Sequence, residues 1–213
     1  MLKLPRGMQW AGLVVVAALA GLGAYLASRD LLAPEPPPVE PIRPAVIPER
    51  RPDVTLADRD GKPRALSEWD GKALVINFWA TWCAPCRREI PMLNALAREN
   101  RDQGVEVIGI AVDFRDDVLQ YLQKMPVDYM VLIGEQDGMD AARAFGMDTI
   151  GLPFTAFTDS SGRIATIHVG ELHRPQAEVI LALVREVDSG TIDMAAARAQ
   201  IREKLADLGQ PAH

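Results

Sequence analysis

The chain of 213 residues contains two cysteines, Cys83 and Cys86, which are separated by two residues. An apolar run over residues 73–78 leads into this pair and is typical of a buried strand. A helical pattern follows, and Pro85 falls in its first turn, where the missing N–H of proline costs nothing. The two sulfurs are therefore expected at a strand-to-helix junction, where free N–H groups and the helix dipole stabilise a thiolate. This arrangement predicts thiol–disulfide exchange.

Cys83 is expected to be the nucleophile, because its sulfur can be exposed at the start of the helix and its pKa lowered there. Its thiolate would attack a substrate disulfide, and Cys86, one turn further on, would resolve the mixed disulfide. An exported protein could instead hold a merely structural disulfide at this place. Closing so short a loop gains little chain entropy, however, so catalysis is the better interpretation.

The composition argues against nucleic-acid and metal binding. A net charge of −6 and an isoelectric point near 5.1 leave no basic surface for nucleic acid. A CxxC pair supplies two of the four ligands of a structural zinc site, and His168, His173 and His213 do not complete that spacing. We therefore expect no metal, no cofactor beyond the redox-active pair, and structural roles for His168 and His173.

Glu89 follows Cys86 by three residues, so both side chains are expected on one face of the helix. A carboxylate there opposes thiolate formation, and if burial raises its pKa it can carry a proton to or from Cys86. Alternatively, Glu89 faces solvent and pairs with Arg87 or Arg88. The two arginines could themselves favour a thiolate at Cys83, or simply lie solvated on the helix surface.

Two tryptophans precede the sulfurs. Trp82 is expected to border the site and to offer a flat apolar surface to partners, whereas Trp79 fits core packing better. Pro85 is expected to stiffen the loop between the two sulfurs.

Residues 1–29 predict a signal-anchor helix. Lys3 and Arg6 precede an uncharged run over 7–28, and the apolar core of this run is just long enough to cross a bilayer. Basic residues before the span keep the N-terminus in the cytoplasm and send the rest of the chain outside. A cleaved signal peptide with its site near residues 18–20 is the alternative, and either interpretation exports the domain.

Three further regions follow the anchor. Residues 30–52 are predicted to form an extended, proline-rich linker that holds the domain away from the membrane. Residues 53–188 contain the folded domain, and residues 189–213 form a C-terminal helical tail. The tail could dock on the domain, project from it or contact a partner. Its weak amphipathic stripe consists of Ile192, Ala196, Ile201, Leu205 and Leu208.

Hydrophobic periodicity and turn residues predict alternating strands and helices in the domain. The predicted strands are two short ones around the turn at 60–61, and 73–78, 105–112, 129–133, 154–158 and 163–169. The predicted helices are the one from the cysteines to about 102, and 116–124, 137–145, 175–187 and 191–208. This order predicts an α/β fold with a mixed sheet.

Two motifs carry a family resemblance. One is Trp82-Cys-Ala-Pro-Cys86 after a strand, and the other is Gly151-Leu-Pro153-Phe-Thr155 before a later strand. Over residues 51–188 the chain resembles thioredoxin-fold proteins and, more narrowly, the TlpA/ResA-like thiol–disulfide oxidoreductases of bacteria. The resemblance implies a thioredoxin-like fold, with a central mixed β-sheet flanked by helices and an added strand and helix before the second motif.

The resemblance also implies roles around the sulfurs. It implies a cis Leu152–Pro153 peptide bond that faces them, with the Leu152 backbone pairing with an extended substrate segment; an ordinary turn at Pro153 is the alternative. It gives Glu89, the acid of CxxCxxE, a part in moving protons. Ordinary thioredoxins carry a buried aspartate where this chain has Asn77, whose amide exchanges no proton at working pH. Proton transfer is therefore expected to depend more on Glu89. The catalytic set is then Cys83, Cys86 and Glu89, and the substrate contacts are Trp82, Pro85, Leu152 and Pro153.

These inferences predict an exported, membrane-tethered enzyme that reduces protein disulfides from the periplasmic side of a bacterial inner membrane. The resemblance implies substrates such as apocytochrome c or copper-site assembly proteins, and a transmembrane thiol carrier as electron donor. A thiol peroxidase of the peroxiredoxin type is a rival, although proline and threonine do not fall in the Pro-x-x-x-Thr-x-x-Cys pattern of that chemistry. A binding or chaperone module that uses the same surface without turnover is a second rival.

Overall fold

The structure is a computed structural model that describes residues 47–147 and 151–209, together with Leu19, Gly21, Leu22 and Tyr25. These four separate residues are helical. The rest of the predicted anchor over 1–29, and most of the predicted linker over 30–52, lie outside the described residues. Among the residues that are described, no helix has the length and apolar character needed to cross a membrane.

Strands and helices alternate through most of the domain, which ends in a hairpin and two helices. The strands are β1 (Thr55–Asp58), β2 (Pro63–Ala65), β3 (Ala73–Trp79), β4 (Val105–Ala111), β5 (Met130–Ile133), β6 (Phe154–Thr158) and β7 (Ile164–Val169). The helices are α1 (Ala84–Asn100), α2 (Arg115–Lys124), α3 (Gln136–Ala144), α4 (Arg174–Asp188) and α5 (Met194–Asp207). Short 3-10 turns lie at Leu66–Trp69 and Arg101–Gln103. The predicted elements are thus found, with small differences at their ends.

The strands form one sheet in the order β2-β1-β5-β4-β3-β6-β7. The central pairs β3–β4 and β4–β5 are parallel, whereas β6, β7, β1 and β2 pair antiparallel with their neighbours. The predicted mixed sheet is therefore confirmed. Because β3 and β4 run in parallel next to each other, the loops that leave their C-terminal ends lie side by side.

Alternation of side chains along β3 determines which side of the sheet each residue faces. Val75 and Trp79 pack in the apolar layer on the α1 side of the sheet, whereas Leu74 and Phe78 pack in the opposite layer. Asn77 therefore points to the α1 side, and it is fully buried there. Helices α1, α2, α4 and α5 supply side chains to the first layer, and α3 with the Leu66–Trp69 turn supplies the second.

The ordered domain extends beyond its predicted N-terminal boundary. The Ile164 N–H donates to the Glu49 carbonyl at 2.9 Å, and the Arg51 N–H donates to the Gly162 carbonyl at 2.8 Å. Residues that were assigned to the linker by their proline content thus pair with the β6–β7 hairpin. Periodicity over so few residues gives no signal of such a pairing.

The tail docks on the domain, as one of the sequence interpretations has it. Ala197, Ile201 and Leu205 of α5 are buried in the apolar layer of α1, and Arg198 donates to the Ile164 carbonyl at 2.6 Å. The predicted stripe is wrong at its end, because Leu208 lies past the last packed turn and is 45% exposed.

Candidate active site

Cys83 and Cys86 form a disulfide at the junction of β3 and α1, with their Cα atoms 5.3 Å apart. Cys83 is the N-cap residue of α1, and its sulfur accepts a hydrogen bond from the Cys86 N–H at 3.3 Å. Pro85 occupies the first turn, where no helical hydrogen bond is lost. The predicted strand-to-helix junction is confirmed.

The two sulfurs differ in their access to solvent. Cys83 is 5% exposed and Cys86 is fully buried, since both pack in the apolar layer on the α1 side. Cys83 is expected to be exposable at the helix start, and the structure leaves it a small accessible area although it packs in the core layer. The remaining accessible area still belongs to Cys83, which is the sulfur that an external partner can reach.

Apolar side chains lie on both sides of Cys83 in the sequence. Trp82 is 68% exposed, and Pro85 is half-buried. Trp79 is fully buried, in agreement with its predicted core role. The exposed Trp82 ring next to Cys83 offers a flat surface to an approaching partner, as expected for a residue that borders the site.

The loop that leads into Cys83 is fixed by a residue that the sequence analysis did not single out. Asp113 follows β4, and its Oδ2 accepts hydrogen bonds from the Thr81 N–H at 2.9 Å and from the Thr81 hydroxyl at 2.6 Å. Arg87 donates to the Thr81 carbonyl at 2.9 Å. The available signal was the position of Asp113 directly after a buried strand parallel to β3, which brings both loops to one sheet edge.

Glu89 is buried rather than exposed, so the alternative of a solvent-facing glutamate is wrong. Its residue exposure is 2%. Its Oε1 accepts a hydrogen bond from the Asn77 amide at 2.7 Å, and its Oε2 accepts one from the Leu172 N–H at 2.8 Å. Because Cys86 and Glu89 are three residues apart in α1, they share one face of the helix.

Burial raises the pKa of the Glu89 carboxyl from 4.5 to about 7. The hydrogen bonds from Leu172 and Asn77 lower this pKa, and the negative charge of Glu171 raises it, but the loss of hydration is the largest cause. A carboxyl with a pKa near neutrality can accept or release a proton under working conditions. This is the property that proton transfer to and from Cys86 requires.

Asn77 is a hydrogen-bonded core residue, as expected. Besides its bond to Glu89, its amide donates to the Thr155 hydroxyl at 3.0 Å. Thr155 lies opposite Asn77 in the register of β3 and β6, so the sheet itself brings the two side chains together. A role for Thr155 could not be predicted, because strand register is not visible in a single sequence.

The Leu152–Pro153 peptide bond is cis, in agreement with the expectation from the resemblance. Pro153 directly precedes Phe154, which pairs with Phe78 near the end of β3, so this bond lies at the sheet edge from which the cysteine motif continues. Pro153 is buried and its carbonyl accepts a hydrogen bond from the Gly170 N–H at 2.8 Å. Leu152 packs against both apolar layers.

The remaining candidates are structural in their contacts. Arg88 pairs with Glu171 across the surface. His168 is buried with its Nε2 3.3 Å from the Glu171 carbonyl, and His173 is the exposed N-cap of α4. Over residues 47–147 and 151–209, no three His, Cys, Asp or Glu side chains are grouped to hold a metal ion. His213 lies outside the described residues.

Comparison with known proteins agrees with this geometry. The AhpC/TSA family matches residues 47–167 of the chain. The thiol-disulfide oxidoreductase ResA of Geobacillus thermodenitrificans is 32% identical over 122 residues, which are 57% of this chain and 68% of that protein. ResA of Halalkalibacterium halodurans is 28% identical over 138 residues, which are 64% of this chain and 76% of that protein.

Solved structures show the same fold. A Chlorobium tepidum structure titled as a thiol:disulfide interchange protein DsbE matches 67% of this chain and 99% of its own, with a TM-score of 0.58 and 25% identity. A secreted thiol-disulfide isomerase of Corynebacterium glutamicum matches 70% of this chain and 95% of its own, with a TM-score of 0.59 and 26% identity. The chain therefore belongs to the AhpC/TSA family and is a ResA-like thiol–disulfide oxidoreductase with a thioredoxin-like fold.

Proposed function

We propose that this enzyme works outside the cytoplasm as a membrane-tethered reductant of protein disulfides. The observation that carries the proposal is the burial of Glu89 on the same helical face as Cys86. A buried carboxyl near the sulfurs disfavours the thiolate, and a reduced form without thiolate stabilisation gives up its electrons more readily. The arrangement thus favours the reducing direction.

The proposed cycle begins with Cys83 and Cys86 as thiols, and Cys83 first releases its proton to solvent. The Cys83 thiolate attacks one sulfur of a substrate disulfide, whose S–S bond breaks, and the leaving sulfur takes up a proton. Glu89 accepts the Cys86 proton, and the resulting thiolate attacks the Cys83 sulfur. The mixed disulfide breaks, its substrate sulfur takes the proton from Glu89, and the substrate leaves with two thiols. The enzyme then holds the Cys83–Cys86 disulfide after giving up two electrons. A dithiol donor then reduces this disulfide again.

Three residues are proposed to receive the substrate around this reaction. Trp82 would pack against the segment that flanks the substrate disulfide, since its ring is exposed next to Cys83. The Leu152 backbone, before the cis bond to Pro153, would pair with the same extended segment. Pro85 would keep the loop between the sulfurs rigid during the exchange.

The proposal also includes a membrane anchor, a periplasmic location and specific partners. Lys3 and Arg6 before the uncharged run over 7–28 support an anchor with a cytoplasmic N-terminus and a periplasmic domain. The family resemblance supports apocytochrome c or copper-site assembly proteins as substrates, and a transmembrane thiol carrier as donor. Membrane-impermeant maleimide should label Cys83 in intact, reduced cells. Labelling that appears after lysis alone would contradict the proposed location.

A cell-free assay with the full chain tests the chemistry. Cys86→Ser should accumulate mixed disulfides with a disulfide-bonded protein substrate through Cys83, whereas Cys83→Ser should neither trap nor reduce it. A module that binds without turnover would retain its partner unchanged in both variants. A peroxidase would instead consume hydrogen peroxide with the reduced Cys86→Ser protein. Equilibration with a glutathione or dithiothreitol buffer then measures whether the pair is reducing.

A further inference from the structure

The loop between β7 and α4, over residues 170–172, contacts the active site at three points. The Gly170 N–H donates to the Pro153 carbonyl at 2.8 Å. The Leu172 N–H donates to Glu89 Oε2 at 2.8 Å. Between these two contacts, the Glu171 side chain reaches Arg88 on α1. One short segment therefore joins the cis-proline end of β6, the buried carboxyl of Glu89 and the outer face of α1.

The Arg88–Glu171 pair has the geometry of a fork rather than a single contact. Arg88 Nε lies 3.0 Å from Glu171 Oε2 and 3.2 Å from Oε1, and its Nη2 also donates to Oε2. The planar guanidinium matches a carboxylate in this way, and the match fixes orientation as well as distance. The two side chains are 60% and 22% exposed, so the pair contributes little to global stability.

We propose that Arg88 and Glu171 are positioning residues that latch the 170–172 loop onto α1 and so hold the Leu172 N–H against the Glu89 carboxylate. Arg88 directly precedes Glu89 in α1, and Glu171 directly precedes Leu172 in the loop. The exposed ion pair and the buried hydrogen bond therefore join neighbouring residues of the same two segments. This inference rests on the proposed function where it concerns turnover, but the positioning itself does not.

Breaking the Arg88–Glu171 pair should change the pKa of Glu89, and the groups around Glu89 set the direction of this change. They are the Asn77 amide, the Leu172 N–H, the Glu171 carboxylate and, through its electrostatic contact, the Tyr129 phenol, which burial keeps neutral. Without Arg88, the Glu171 charge loses its partner and the Leu172 N–H is no longer held in place. Both changes disfavour ionised Glu89. Glu89 should then keep its proton to higher pH.

The experiment follows the carboxyl of Glu89 by carbon NMR during a pH titration of the full, oxidised chain, with Glu89→Gln to assign the signal. Arg88→Ala should move the titration midpoint upward, and Arg88→Lys should move it less. The matched control is Arg98→Ala, since Arg98 lies on the same helix nine residues after Glu89, is 59% exposed and pairs with Asp128. An unmoved midpoint in Arg88→Ala would overturn the proposal.

A double variant separates positioning from simple charge. Arg88→Ala combined with Glu171→Gln removes both charges, so a purely electrostatic effect would return the midpoint to its original value and overturn the proposal. A latch that positions the Leu172 N–H predicts a midpoint that stays raised. The titration needs no turnover, so it can succeed while disulfide reduction fails, and the two proposals are then told apart.

The rate of disulfide reduction supplies a second readout. Arg88→Ala should lower the rate near neutral pH by about threefold, because less Glu89 is ionised to accept the Cys86 proton, and the rate should recover at alkaline pH. A general loss of structure would instead lower the rate at every pH, and that outcome would count against the latch.

Discussion

The molecule contains two strand-to-helix junctions side by side, and they serve different ends. β3 leads into α1 through Cys83, whose sulfur caps the helix, whereas β4 leads into α2 through Phe114, whose side chain caps nothing. The parallel pairing of Trp79 with Ala111 places both junctions at one edge of the sheet. The first holds the reactive atoms, and the second holds the carboxylate of Asp113.

The second junction supports the reactive one through hydrogen bonds. Asp113 accepts two hydrogen bonds from Thr81 at the neighbouring junction and one from the Phe114 N–H at its own. The Val112 N–H also donates to the Trp79 carbonyl at 2.8 Å. The second junction thus contributes no chemistry but fixes the loop that precedes Cys83. The carboxylate proposed to act on the cysteines, Glu89, comes from within the helix of the first junction.

The largest expected effect concerns Glu89 at the reactive junction. The pKa of its carboxyl is about 7 in the folded protein and 4.5 in its ordinary state, so the folded protein holds an extra proton between these values. Stability should therefore fall as pH rises from about 4.5 to about 7, by up to about 3 kcal/mol in total, and stay reduced above that. Glu89→Gln should remove this fall.

Urea unfolding at several pH values measures the dependence. Glu99→Gln is the matched control, because Glu99 lies exposed on the same helix and pairs with Arg174. If Glu89→Gln and the unaltered protein lose equal stability across this pH range, the raised pKa of Glu89 is wrong.

The next effect tests the support from the second junction. Asp113→Ala should lower the free energy of unfolding by about 3 kcal/mol, because it leaves the donors of Thr81 and Phe114 without their buried, charged acceptor. Asp113→Asn should cost less, since one acceptor oxygen remains. Chemical denaturation measures both. Asp116→Ala, at an exposed position in the first turn of α2, should change little. An equal effect at both positions would break the comparison.

A smaller effect is expected where the two junction strands touch. A Cβ atom at Gly109, which pairs with Asn77, would lie 2.9 Å from the Tyr129 ring and 3.1 Å from Trp79 Nε1. Gly109→Ala should therefore destabilise the fold by about 2 kcal/mol through overpacking. Thermal unfolding checks this. Adding Tyr129→Leu should recover part of the loss, and a double variant without recovery would show that the ring is not the obstacle.

The smallest expected effect concerns the N-cap of α2, which has no capping side chain. Phe114 has extended backbone angles at the N-cap of α2 but no capping side chain, and it is 58% exposed. Phe114→Ser should stabilise the protein by about 0.5–1 kcal/mol, because the hydroxyl can accept a free N–H of the first turn. Phe114→Ala adds no cap and is the control in the same denaturation series. A serine variant no more stable than the alanine variant would contradict the capping argument.

Local features of this fold could be predicted from the sequence, whereas contacts between distant segments could not. Periodicity located β3 and α1, and the three-residue spacing put Glu89 on the face of Cys86. The bonds of Asp113 to Thr81 and of Leu172 to Glu89 join residues 32 and 83 positions apart. Pairings over such distances depend on sheet order and loop path, which one sequence does not display.

The sulfur of Cys83 receives the Cys86 amide while it also forms and breaks a covalent bond. The first turn of α1 is therefore bonded directly to the sulfur that reacts. A thiolate attracts an N–H more strongly than a neutral sulfur does, so this amide should be held more firmly each time Cys83 loses its proton before attack. The backbone N–H of Cys86 should thus report the ionisation of Cys83, and amide NMR can follow it without modifying either sulfur.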